Sequence, residues 1–132
     1  MILDTSAIVA AIANEPDGSR IQNAMLSATS LAISSVTVLE TRIVLHSRYG
    51  GEAVRAFDDM LNNAGVIVVA FDADMAEVAF GAFRQYGKGQ GHPAQLNIVD
   101  CAVYALAKIR GEPPLFKGAD FGRTDIEPVG LD

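Results

Sequence analysis

Four acids stand where a carboxylate does little for a fold: Asp4, Glu40, Asp100 and Asp120. With successive residues about 100° apart round a helix, Glu40 falls on the stripe of Val36, Leu39, Ile43 and Val44, and Asp100 on that of Leu96, Val99, Val103 and Ala107. Such stripes are expected to face a core, where a lone carboxylate must be paired, protonated or bound to a cation. Asp4 ends the apolar run Met1–Leu3, and Asp120 lies in the loop Phe116–Phe121 after a second apolar run, so both would reach the carboxyl edge of a parallel sheet. Each acid also has an ordinary explanation: an N-cap for Asp4, a salt bridge or a Thr37-x-x-Glu40 cap, a first-turn acid facing the helix dipole for Asp100, a turn aspartate for Asp120. The joint pattern says more. Converging carboxylates repel one another and hold raised pKa values unless cations neutralise them. Hard oxygen donors suit magnesium or manganese, ions that activate water against phosphate esters, so metal-dependent phosphodiester hydrolysis is the chemistry expected.

The elements that must position these acids alternate. Met1–Leu3 reads as a strand turning directly into a helix capped by Asp4 or Ser6, and Pro16 and Gly18 break that helix before a second one from Asp17 to Ser27. Leu31–Ser34 is a short strand, and helices over 36–48 and 52–63, split by Gly50-Gly51, form a hairpin. Val66–Phe71 is the clearest strand, of the β-branched kind covered on both faces. Asp72–Tyr86 is a helix with an Asp74-x-x-Glu77 cap; after the loop Gly87–Pro93 come a helix from about Leu96 to Arg110, a strand entry at 113–116 and a final strand near Ile126–Val129. Strands separated by helices predict an α/β layer with a mostly parallel sheet, in a single domain over residues 1–132.

The motifs Ile2-Leu-Asp4-Thr-Ser-Ala7, Leu39-Glu40-Thr41, Leu96-Asn97-Ile-Val-Asp100-Cys-Ala102 and Leu115-Phe-Lys-Gly-Ala-Asp-Phe121, in this order and spacing, resemble the acidic motifs of PIN-domain ribonucleases, and among them the VapC toxins of toxin–antitoxin pairs. The resemblance spans nearly the whole chain. It implies a three-layer α/β/α sandwich and a magnesium- or manganese-dependent endoribonuclease, a homodimer, neutralised by a VapB-type antitoxin. That antitoxin's C-terminal segment would enter the acidic groove. The resemblance also implies that Asp4, Glu40, Asp100 and Asp120 hold the metal, with Ser6 and Asn97 orienting them. Val99 stands where the family often has glycine, a departure that leaves the ligand itself in place.

Composition narrows the partners. A net charge of −6 argues against a broad electrostatic grip on nucleic acid and leaves a local basic rim as the means of holding RNA. Arg84, Lys88 and His92, with Tyr86 to stack a base, make the glycine-rich segment a candidate contact loop, and Lys117 lies close to Asp120. Asp125 could supplement the acids; His92 and His46 are poor general bases, one in a Gly/Pro loop and the other without an acidic partner in sequence. The single cysteine, Cys101, excludes a disulfide framework and reads as a buried thiol. With no secretory signal and no apolar run long enough for a bilayer, the expectation is a cytoplasmic protein. A P-loop is rejected because Gly87-Lys88-Gly89 lacks the following Ser or Thr, and a receiver domain because Asp4 has no acidic neighbour. The remaining alternative is a non-catalytic interaction module with the PIN fold. Apolar helices over 19–26 and 36–45 are candidate partner surfaces.

Overall fold

A strand that feeds a helix cannot pair antiparallel with its sequence neighbour through a tight turn, so strand–helix alternation builds a parallel sheet. The computed structural model, which describes residues 1–131, has such a sheet: β1 (Ile2–Leu3), β2 (Ala32–Ser34), β3 (Ile67–Val69) and β4 (Pro114–Leu115). Their order is β3-β2-β1-β4, every pair parallel, with Ile2 opposite both Ala32 and Pro114 and Ala32 opposite Ile67. The helices are α1 (Thr5–Ile12), α2 (Gly18–Ser27), α3 (Ser35–Tyr49), α4 (Gly51–Asn63), α5 (Ala73–Tyr86) and α6 (Ile98–Arg110), followed by a short 3-10 turn at Phe121–Arg123.

The two-residue period of a strand divides the core. Ile2 and Ala32 point to one face, where they meet Met75, Ala79 and Ala82 of α5 and Val103 and Leu106 of α6. Leu3, Ile33 and Leu115 point to the other, against Ile8, Ile21, Leu45 and Phe57 of α1 to α4. The result is the expected three-layer α/β/α sandwich. α6 is buried without interruption from Cys101 to Ala107, as suits a helix apolar on nearly every side.

Helix α2 meets α1 at Gly18, where an added Cβ would lie 2.6 Å from the Ala10 carbonyl oxygen. Backbone cannot swing aside as a side chain can, so Gly18→Ala is expected to push α2 outward and cost about 1–3 kcal/mol, read by thermal denaturation. Between α3 and α4 the chain reverses at Gly50, whose φ of +87 lies in the region that side chains avoid.

Three expectations need correction. β3, the clearest strand in sequence, is terminal in the sheet, with Ile67 48% and Val68 50% exposed. A β-branched run reports that a strand exists, and position in the sheet is decided by pairing elsewhere. Ile126–Val129 forms no strand; a single backbone bond, Val129 N–H to the Pro114 carbonyl at 2.9 Å, lays this segment along β4. The cap of α5 is Asp72, whose Oδ1 accepts from Met75 N–H at 2.9 Å, and Asp74 lies inside the helix in its first turn.

Candidate active site

β1, β2 and β4 run parallel, so their carboxyl ends share one edge, the place where open α/β sheets bind ligands. Asp4 follows β1 there. Its extended backbone ends the strand and its side chain starts α1, with Oδ2 accepting from Ser6 N–H at 2.8 Å and from Ser6 Oγ at 2.6 Å. Asp100 sits in the first turn of α6 in a reciprocal cap: Asn97 Oδ1 accepts from Asp100 N–H at 2.8 Å, and Asp100 Oδ2 accepts from Asn97 N–H at 3.0 Å. The cap sets the start of α6 at Ile98, two residues later than the apolar pattern suggests. Asp120 stands at the start of the 3-10 turn, with an Arg123 nitrogen 3.8 Å from its Oδ1.

Glu40 comes from α3, and here the helical-wheel expectation fails. The buried face of α3 is Thr37, Val38, Thr41 and Leu45, while Leu39 and Ile43 are 58% and 56% exposed. Thr41 faces Thr5 across the α1–α3 seam, hydroxyl to hydroxyl at 3.0 Å. The Thr5 and Thr41 hydroxyls satisfy each other and bury without penalty, whereas Thr37 Oγ1 on the same face has no partner among the described residues; with this face turned inward, Glu40 is carried to the rim.

All four acids line one cavity of about 410 Å³, together with Ser6, Asn97 and Lys117. Ser6 ties its walls together: its Oγ donates to Asp4 and accepts from Lys117 N–H at 2.9 Å, so the loop after β4 is pinned to the start of α1. Ser6→Ala leaves that part-buried amide without its partner and Asp4 half-released; activity is expected to fall about 10–100-fold and stability by about 1 kcal/mol, measurable by cleavage assay and denaturant unfolding. The Lys117 ammonium is held by Glu15 at 3.0 Å.

The electrostatics of the cavity are those of missing positive charge. Asp4 is 3% exposed, and among the described residues no Lys, Arg or His pairs with Asp4, Glu40 or Asp100. Burial pushes the Asp4 carboxyl up to about 6 against the two lowering bonds from Ser6, with the Glu40 charge adding to the rise. Burial pushes Asp100 up to about 7, helped by the charges of Asp4, Glu40 and Asp120 and opposed by the Asn97 amide. An all-oxygen, cation-deficient donor set fits magnesium or manganese in its chemistry. Among the described residues no three His, Cys, Asp or Glu side chains form a ready metal cluster.

The other sequence candidates lie elsewhere. Arg84 packs over the Phe80 ring at 5.8 Å and Lys88 is exposed in its loop; neither lines the cavity. Tyr86, expected to stack a base, is 6% exposed and wedged between His92 and Tyr104, ring centroids 4.9 and 5.8 Å away. His92 Nδ1 accepts from Ala94 N–H at 3.0 Å and shapes its own loop. Asp125 accepts from Tyr104 Oη and Lys108 Nζ, both at 2.6 Å, and fixes the tail to α6. Cys101 is buried, its thiol pushed up to about 11 by burial and by Asp100. Sequence reasoning missed Glu15 and Arg48, both on the cavity wall. Arg48 had a signal, lying eight residues beyond Glu40 on one helix; Glu15 had none before the turn after α1 was known.

Comparison with known proteins identifies the family. The family model described as PIN domain matches residues 1–127. "VapC ribonuclease Mb0640" of Mycobacterium bovis is 46% identical over 131 residues, 99% of each chain, and "Ribonuclease VapC" of Mycolicibacterium smegmatis is 46% identical over 129 residues, 98% of this chain and 99% of that one. Among solved structures, Mycobacterium tuberculosis VapC20, described as a sarcin-ricin loop cleaving toxin, superposes with a TM-score of 0.80 at 20% identity over 97% of each chain. A toxin–antitoxin complex from Klebsiella pneumoniae gives 0.69 at 16% identity over 91% of this chain and 88% of that one. The chain belongs to the PIN domain family and, within it, to the VapC ribonucleases.

Proposed function

We propose that this protein is an endoribonuclease toxin that hydrolyses RNA phosphodiester bonds with magnesium or manganese held by Asp4, Glu40, Asp100 and Asp120, and that a VapB-type antitoxin neutralises it. The observation that carries this reading is the convergence of four carboxylates, one of them 3% exposed and without a cation, in a cavity at the carboxyl edge of the sheet. When bound, the metal supplies charge neutralisation at the phosphate oxygens and an activated water. The chain's own residues supply placement: Ser6 holds Asp4 by two hydrogen bonds, and Asn97 locks the turn that carries Asp100. Because Asp4 and Asp100 keep their protons to about 6 and about 7, metal uptake displaces protons and tightens as pH rises through that range. The test is cleavage of a total RNA pool by purified, antitoxin-free protein with magnesium, manganese or EDTA. Cleavage with either metal and none in EDTA is expected; a folded protein inert under every metal would leave the interaction-module alternative standing.

The partners need surface. A groove of about 320 Å³ between α1, α2 and α4, lined by Ile12, Met25, Leu26 and Met60, gives an apolar antitoxin segment a seat. Leu39 and Ile43, exposed on α3, offer a second face for a homodimer. Leu26 is 84% exposed, so Leu26→Asp is expected to weaken antitoxin binding at least about tenfold while leaving RNA cleavage and Tm unchanged, measured by calorimetry against the purified antitoxin. No described helix is long and apolar enough to cross a membrane, and we place the protein in the cytoplasm with its RNA substrate and antitoxin.

A further inference from the structure

The cavity does not end at the acids. Val9 of α1 and Val44 of α3 carry its wall onward to Arg48 on one side and to the Glu15–Lys117 pair on the other. Glu40, Val44 and Arg48 follow at intervals of four residues on α3, which places Arg48 about 12 Å from Glu40 along the helix axis. A single RNA strand whose reacting phosphate meets the acids would bring a phosphate one or two nucleotides away to that end of the channel.

Among the described residues four of the ten Lys and Arg make no ion pair, Arg48, Arg55, Arg84 and Lys88, and of these four Arg48 is the one that lines the cavity. Lys117, on the same cavity wall, is paired, yet among the described residues Arg48 makes no ion pair although its cavity also holds Asp4, Glu15, Glu40, Asp100 and Asp120. It is exposed, in the last turn of α3, where its charge also offsets the helix dipole. An unpaired guanidinium offers a planar fork of donors that matches a phosphate.

We propose that Arg48 is a substrate-binding residue that holds a non-reacting phosphate of the RNA strand, one or two nucleotides from the bond positioned at Asp4, Glu40 and Asp100. It rests on the ribonuclease reading above and adds the direction of the strand's path, along the α1–α3 channel over Val9 and Val44. Arg48 orients no acid and moves no proton; it contributes binding that is equal in the ground and transition states.

The experiment measures binding of a fluorescein-labelled, single-stranded RNA of mixed sequence in EDTA across a salt series, for wild type, Arg48→Ala, Arg48→Lys and Arg55→Ala. Arg55 is exposed on α4 and off the cavity, so it controls for general charge. Arg48→Ala is expected to bind about tenfold more weakly and to lose about 0.7 from the slope of log affinity against log salt, Arg48→Lys to keep the slope, and Arg55→Ala to match wild type. In cleavage with metal, Arg48→Ala should raise KM with kcat within about twofold of wild type. A merely helix-capping Arg48 would change Tm and neither the slope nor KM. Wild-type cleavage with an indifferent Arg48→Ala overturns this residue's role alone; a wild type that neither binds nor cuts RNA overturns the ribonuclease reading and this role with it.

Discussion

Asp4→Asn is expected to abolish metal-dependent RNA cleavage, by more than about 100-fold, while making the metal-free protein more stable at neutral pH. The two effects share one cause. A carboxyl whose folded pKa is raised contributes stability that is fully present below its ordinary pKa and is lost as pH rises through the folded value. For Asp4 that window runs from 3.8 to about 6, and for Asp100 from 3.8 to about 7. Metal-free wild type should therefore lose stability steadily from about pH 4 to about pH 7, by about 2–3 kcal/mol for Asp4 alone. Asparagine has no charge to bury and caps a helix as well as aspartate does, so the variant keeps α1 and removes that slope. Magnesium should raise the wild-type Tm at neutral pH and leave Asp4→Asn nearly unmoved. A variant that still cleaves, or whose Tm keeps the wild-type pH dependence, removes Asp4 from the site. Asp100→Asn should behave likewise, since an amide oxygen can still accept from Asn97 N–H.

Phe57→Ala should have the largest effect on the fold. α4 buries one residue completely, and that residue is Phe57, at 0% exposure in the core beneath α1 and α3. Truncating a fully buried phenylalanine costs about 3–5 kcal/mol, which for a chain this size lowers Tm by about 10–20 °C. α4 and its C-cap also supply Met60 and Ala64 to the groove proposed for the antitoxin, so a loosened α4 should weaken that complex more than it weakens RNA cleavage. Ile67→Thr gives the contrast: at 48% exposure it should cost less than about 1 kcal/mol. Equal losses from the two substitutions would contradict the division between core and margin.

What the sequence made legible follows from the range of each signal. Caps, breakers and periodicity act over a few residues, so the start at Asp4 and the breaks at Gly18 and Gly50 leave local traces, while the apolar pattern starts α6 two residues ahead of the start that the Asn97 cap sets. Motif order carried the four acids, and the structure places all four on one cavity wall. Faces were harder. On α3 the apolar stripe through Leu39 and Ile43 lost to a threonine seam, because the Thr5–Thr41 hydroxyl pair exists only once α1 and α3 have met. Tyr86 failed as a stacking platform for the same reason: its partners His92 and Tyr104 are six and eighteen residues away and have no local signature. Lys117 was reached through its nearness to Asp120 in sequence; Glu15, its ion-pair partner across the fold, was not.

The two margins of the sheet are not equivalent. β4 has Val129 bonded alongside it, while β3 is terminal with Ile67 and Val68 half in solvent. A bare margin is the usual template for runaway association, in which each added copy presents a fresh strand to the next. Here the β4 margin is partly covered by the Val129–Pro114 bond, so two copies meeting through β3 would leave only partly covered margins for further growth.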